Sequence, residues 1–119
     1  MIGQLYTVII DCPDPPSLGR FYSQLTGKPV NAADEDWVWV GDAPPRLAFQ
    51  RAPDHKPPRW PDPEHPQQYH VDILVDDVDT AEREVLALGA TRLPGQGDDF
   101  RVYADPAGHP FCLIWKNQS

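Results

Sequence analysis

The sequence predicts an α+β fold built from two βαβββ modules, and three observations carry that prediction. A shift of 63 residues places Val8, Ile10, Asp14 and Leu25 on Val71, Ile73, Asp77 and Leu88, with Gly27 landing one place beyond Gly89. Each copy opens on an apolar run of period two and continues into a segment of helical period stopped by glycine. Between the copies, residues 52–68 carry six prolines and no sustained periodicity. The chain therefore reads as a single domain, 1–119, with module one at 1–54, a linker at 55–68 and module two at 69–119.

In the first module, residues 5–12 form a strand with Val8, Ile10 and Cys12 on one face and Thr7, Ile9 and Asp11 on the other. Both faces are largely apolar, so a central strand covered on both sides is expected. Asp14 suits a helix N-cap, because its carboxylate can accept from free backbone N–H groups, and Pro15 suits a first turn that needs no donor. Leu18, Phe21, Tyr22 and Leu25 make an apolar stripe, and Gly27 can adopt the left-handed conformation that ends the helix. Short strands follow at 29–32, at 37–40 with Trp37 and Trp39 on one face, and at 46–51. Residues 41–45 turn between the last two. Trp60 stands out in the linker: a segment that only spans needs no indole, so Trp60 should dock on the protein, as a core plug or as a lid over a pocket.

In the second module, residues 69–75 repeat the opening strand, with Val71, Ile73 and Val75 facing a helix and His70, Asp72 and Leu74 on the other side. Asp77 or Asp79 caps the next helix, Asp79 having Glu82 three places on as a capping-box partner. Val78, Ala81, Val85 and Leu88 form its buried stripe. After Gly89 come a strand at 91–93, a glycine-rich turn at 95–97, a strand at 100–105, a turn at 105–108 and a last strand at 110–116.

Composition narrows the function classes. At 119 residues the chain can bury one core. A net charge of −8, from ten basic residues scattered among eighteen acidic ones, argues against nucleic acid, which calls for clustered Lys and Arg. No apolar run approaches the length of a membrane span, and the first residues lack a basic segment followed by an apolar core, so a cytoplasmic setting is expected. Cys12 and Cys112 lie in apolar strand patterns without C-x-x-C spacing and read as two reduced thiols.

The segments Val8-Ile-Ile-Asp-Cys-Pro-Asp-Pro15, Phe21-Tyr22 with Leu25 and Gly27, His70-Val-Asp-Ile-Leu-Val-Asp-Asp77, Leu88-Gly-Ala90 and Asp105-Pro-Ala-Gly-His-Pro-Phe111 span nearly the whole chain. Together they resemble the vicinal oxygen chelate superfamily, the glyoxalase, bleomycin-resistance and extradiol-dioxygenase group, and most of all its small glyoxalase-like domains. The resemblance implies that each module curls its sheet into half an open barrel, that the halves form an open curved sheet around a shared cavity, and that members commonly pair as homodimers. It also implies metal-ligand positions. These are a His on the first strand of one or both modules, here Thr7 and His70, and a Glu on the last strand, here Ala48 or Gln50 and then Cys112.

Of those positions only His70 matches. One imidazole, one amide and one thiol suit a hard, oxygen-preferring cation poorly, so no tightly held metal is expected; a divalent ion, if bound, would use His70 and Gln50. His70 has three readings: metal ligand, hydrogen-bonding group in the cavity, or histidine satisfied within the structure. Cys112 reads as a small buried residue or as the thiol of a Cys–His pair. Asp72 can bond the imidazole or a ligand. Trp37 and Trp39 offer either a stacking wall or a packed seam, with Tyr103 adding to the aromatic content. Gln50 and Arg101 are the polar groups expected to orient an anionic or carbonyl ligand.

Two functions from different classes follow from this reading. The first is a binding protein that holds a small, partly apolar organic molecule without a tight metal. The second is a divalent-metal-dependent lyase, isomerase or dioxygenase using His70 with Gln50 or Asp72. A scaffolding domain, its cavity filled by Trp60 and the other aromatics, is the third expectation.

Overall fold

The computed structural model describes residues 1–115, so the end of the last expected strand, Lys116, lies outside the described residues. The chain divides into two compact units, Met1–His55 and Lys56–Ser119. The proline-rich segment belongs to the second. It is held there by packing: a Cβ on Gly108 would come within 2.5 Å of Pro57 Cβ. The indole N–H of Trp60 also donates to Pro94 O at 2.7 Å. Trp60 is thus a half-buried surface dock rather than a core plug, its N–H satisfied by the backbone.

The first unit runs β1 (Thr7–Cys12), α1 (Pro15–Thr26), β2 (Val30–Ala33), β3 (Trp37–Val40) and β4 (Arg46–Arg51), with sheet order β1-β4-β3-β2. Asp14 accepts from Ser17 N and Gly27 closes α1 at φ 73°, so the local cap signals placed this helix correctly. Leu18, Phe21 and Tyr22 are buried, and Tyr22 stacks on Phe49 at 5.2 Å between ring centroids. Gly19 lets α1 approach β3 closely: a Cβ there would lie 2.5 Å from Val38 Cγ1.

The expectation of a central first strand is corrected. Among the described residues β1 pairs only with β4, in parallel, and forms the edge of its sheet. Val8 and Ile9 remain 41% and 46% exposed. The reason is topological: α1 carries the chain across to β2, and the β2-β3-β4 meander returns to meet β1 on one side only.

The second unit repeats the plan: β5 (Val71–Leu74), α2 (Val78–Ala87), β6 (Thr91–Gln96), β7 (Phe100–Ala104) and β8 (Pro110–Ile114), in the order β5-β8-β7-β6. Neither four-stranded sheet closes on itself. Asp77, not Asp79, caps α2, accepting from the N–H groups of Asp79 and Thr80 and from the Thr80 hydroxyl. Its carboxyl is held below the usual range, chiefly by that hydroxyl. Glu82 makes no capping box because it pairs with Arg92 and Arg101.

The stripe of α2 is thinner than expected. Val85 is buried, Val78 and Ala81 are half-buried, and Leu88 is exposed. Likewise β6 runs on to Gln96 through an irregularity in register between Arg92 and Gln96, where a glycine-rich turn was expected.

Candidate functional site

In the first module the face of the sheet away from α1 carries Trp37, Trp39, Ala48 and Gln50. Val38 and Phe49 lie toward the helix, where the missing Cβ of Gly19 leaves room for them, and alternation turns their neighbours the other way. Trp37 pairs with Gln50, and Trp39 with Ala48, across the antiparallel β3–β4 ladder. The two indoles meet at 5.4 Å between centroids with planes tilted by 57°.

The indoles differ in what covers them. The guanidinium of Arg46 lies 4.3 Å from the centre of the Trp39 ring and 5.0 Å from that of Tyr6, so Trp39 is engaged within its own module. Trp37 lines an open cleft of about 450 Å³ together with Asp34, Asp36, Gln50, Arg51 and Pro53. Its Nε1 is buried and has no hydrogen-bond partner among the described residues. Asp34 fixes the backbone here, its Oδ1 accepting from the N–H groups of Asp36 at 2.8 Å and Trp37 at 2.9 Å. Arg51 and Asp36 form a loose, solvent-facing pair at 3.6 Å. Thr7 is occupied elsewhere, its hydroxyl donating to Arg46 O at 3.0 Å.

In the second module β5 and β8 run parallel with Asp72 opposite Cys112, and Val102 flanks Cys112 from β7. His70, one residue before β5, places Nε2 3.3 Å from Asp72 Oδ1. The donor atoms of His70, Asp72 and Cys112 lie within 4.8 Å of one another. Burial, and then the neighbouring Asp72 carboxylate, push the Cys112 thiol up to about 11. The thiol donates to that carboxylate, which together with burial favours its protonated form.

Arg101 and Tyr103 do not join this cluster. They occupy the opposite face of β7, toward α2, with Tyr103 stacked on Phe111 at 5.6 Å. The Tyr103 hydroxyl donates to Glu82 at 2.8 Å; burial first and Glu82 second raise it to about 12. Arg101 pairs with Asp79 at 3.1 Å and with Glu82 at 3.5 Å. For Arg101 this corrects the expectation of a group that orients a ligand, and for Tyr103 the expectation of an aromatic contribution to the ligand site. They are spent tying β7 to α2, because that helix presents acids where a wider apolar stripe was expected.

The sequence reading missed Asp34, Asp36 and Arg51. The acidic run 34–36 ahead of Trp37 was the available signal, because an Asp two and three residues before free N–H groups forms such a turn.

A family model described as "Glyoxalase-like domain" matches residues 7–114. Among solved structures, the chain is similar to a glyoxalase-related enzyme from Fulvimarina pelagi, with 15% identity, 97% of this chain and 89% of that one covered, and a TM-score of 0.72. A glyoxalase/bleomycin resistance protein/dioxygenase family enzyme from Burkholderia phytofirmans PsJN matches at 17% identity, 93% and 97% coverage and a TM-score of 0.73. The bleomycin-binding protein of bleomycin-producing Streptomyces verticillus, solved with copper(II)-bleomycin, matches at 21% identity, 98% and 100% coverage and a TM-score of 0.59. At these identities the likeness establishes the fold. A search of curated proteins returned no significant match.

Proposed function

Because the chain belongs to the glyoxalase-like domain family, we propose that it binds a small, partly apolar organic molecule carrying a hydrogen-bond acceptor, and that the cleft beside Trp37 is where it does so. One observation carries this reading: the buried, unpartnered indole N–H belongs to a residue that lines the cleft. A buried donor without a partner costs about 1–3 kcal/mol, and a ligand acceptor would remove that cost while the ring supplies apolar area. Gln50, opposite Trp37 on β4, offers a second polar contact. That Streptomyces verticillus has a bleomycin-binding protein of the same fold supports a binding role.

The test is saturation-transfer NMR against a library of small aromatic carbonyl compounds, using wild type, Trp37→Phe and Gln50→Ala. Binding that weakens about 2- to 13-fold on loss of the indole N–H, the equivalent of about 0.5–1.5 kcal/mol, supports the reading. Compounds that bind equally well to all three proteins would refute it.

A second reading, metal-dependent catalysis around His70, is favoured by the proximity of His70, Asp72 and Cys112. It predicts turnover that a chelator abolishes.

The setting we propose is cytoplasmic, supported by two buried cysteines held as thiols. Among the described residues no helix is long and apolar enough to cross a membrane. A homodimer is part of the proposal. Val8 and Ile9 on the edge strand β1, and Leu74 on the edge strand β5, are apolar and exposed, and a second copy would cover such surface. Sedimentation at micromolar concentration tests this, and a monomer throughout refutes it.

A further inference from the structure

We infer that the ligand of the first module is an anionic aromatic compound, a carboxylate in the simplest case, whose charged group is held by Arg46 while its ring lies against the indoles. This names the ligand class for the cleft beside Trp37 and rests on that reading. Among the described residues, the buried side-chain nitrogens without a hydrogen-bond partner are Trp37 Nε1 and Arg46 Nε. Both are N–H donors, and both belong to one face of one sheet. Arg46 stands two places before Ala48 on β4, so alternation puts it on the face that carries Trp37, Trp39, Ala48 and Gln50. Trp39 links the two donors: its ring centre is 5.4 Å from that of Trp37 and 4.3 Å from the Arg46 guanidinium. A single benzene ring with a polar group at each end spans such a gap.

Arg46 is built as an anion receptor rather than as half of an ion pair. Arg51, Arg92 and Arg101 each meet a carboxylate, whereas Arg46 has no such pair among the described residues. In a chain with eighteen acidic residues, that leaves an uncompensated cation at a half-buried position. Its guanidinium lies over Trp39 and, at 5.0 Å, over Tyr6, and Nη2 donates to the Tyr6 hydroxyl. A ring engages a guanidinium through its flat face, while the N–H groups lie in the guanidinium plane and stay available to a two-oxygen acceptor. A Cβ on Gly41 would come within 3.1 Å of Arg46 Cγ, so glycine there leaves room for the stem. The fork is thus positioned before any ligand arrives, and a carboxylate matches it with two charge-assisted bonds.

Charge sets the orientation. Asp34 and Asp36 line the cleft beside Trp37 and repel an anion there, so the acceptor for the indole N–H is a neutral oxygen and the anionic group belongs at the other end. Arg101, the cation that the sequence offered for an anionic ligand, is tied to Asp79 and Glu82, and Arg46 takes that role.

The experiment is a pair of titrations of nitrogen-15-labelled, full-length protein with para-acetylbenzoate and with para-acetylbenzamide, a neutral compound of the same shape. The Trp37 indole and Arg46 side-chain N–H signals are followed in each. The acid should bind about 10-fold more tightly than the amide at low salt, the margin expected of charge-assisted hydrogen bonds at a half-exposed position. Both compounds should shift the Trp37 signal, and only the acid should shift Arg46 Nε–H. In Arg46→Gln the ratio of the two affinities should fall to about one, and in Arg46→Lys, which keeps the charge but loses the fork, it should fall part of the way. Circular dichroism checks that each variant is folded; if one is not, the wild-type Arg46 signal decides, and a signal that ignores the acid refutes recognition by Arg46. If Trp37 responds to both compounds but the acid has no advantage, or if its advantage survives Arg46→Gln, recognition by Arg46 is refuted and the Trp37 site stands. If neither compound moves the Trp37 signal in the millimolar range, the Trp37 site is refuted and the role of Arg46 falls with it.

Discussion

Cys112 gives the sharpest quantitative test of the second module's geometry. Its thiol is held at about 11 against an ordinary 9.0, first by burial and then by the Asp72 carboxylate that it faces across the β5–β8 ladder. Two pKa units correspond to a roughly 100-fold smaller thiolate fraction at pH 8. Alkylation of the folded, metal-free protein by iodoacetamide, mapped by mass spectrometry to separate Cys112 from Cys12, should therefore run about 100-fold slower than for a free cysteine from chemistry alone, before limited access slows it further. Its half-point should lie near pH 11. In Asp72→Asn the charge and the strong acceptor are gone while burial remains. The half-point should then fall below 11 but stay above 9, and the rate at pH 8 should rise several-fold. A wild-type half-point at or below pH 9, or no response to Asp72→Asn, would show that the carboxylate does not face the thiol and would sink the cluster.

Three further predictions concern stability. Folding free energy should decline as pH rises from about 9 to 12. Cys112 and Tyr103, raised to about 11 and about 12, favour the folded state only while protonated, each by about 3 kcal/mol, and urea titrations of wild type, Cys112→Ser and Tyr103→Phe should apportion the loss. Gly19→Ala should destabilise by about 1 kcal/mol, some 4 °C in Tm: overpacking against Val38, at about 1–3 kcal/mol, outweighs a gain in helix propensity of about 1 kcal/mol, whereas an unchanged or raised Tm contradicts this packing. Asp77→Ala should cost about 1 kcal/mol by leaving the α2 cap donors unpaired while Asp79→Ala costs less, and the reverse order by thermal denaturation would return the cap to Asp79.

What could be read from sequence was local or periodic. Asp14 and Gly27 announce the ends of α1 through their own chemistry, and strict alternation separated Val71 and Ile73 from Asp72 and Leu74. Strand partners are not local. Nothing in residues 5–12 says that β1 has a neighbour on one side only, so its apolar faces read as those of a central strand.

The same gap hid the candidate sites. Asp72 meets Cys112 through a pairing across 40 residues, and the sequence offered His70 and Cys112 as a pair without it. Arg101 and Tyr103 looked free because the acids that hold them, Asp79 and Glu82, read as capping residues of α2 rather than as partners for β7. At the cleft, alternation put Trp37 and Trp39 on one face of their strand, while the pairing of Trp37 with Gln50, the Asp34 turn and the unpaired indole N–H appear only once the backbone is in place.

The central claim, a ligand site beside Trp37, is tested most directly by the indole N–H resonances of nitrogen-15-labelled protein during titration with an aromatic carbonyl compound that binds. The account predicts that the Trp37 signal moves downfield as it gains an acceptor, while the Trp60 signal, already bonded to Pro94 O, stays in place. A binder that leaves the Trp37 indole unmoved would contradict it.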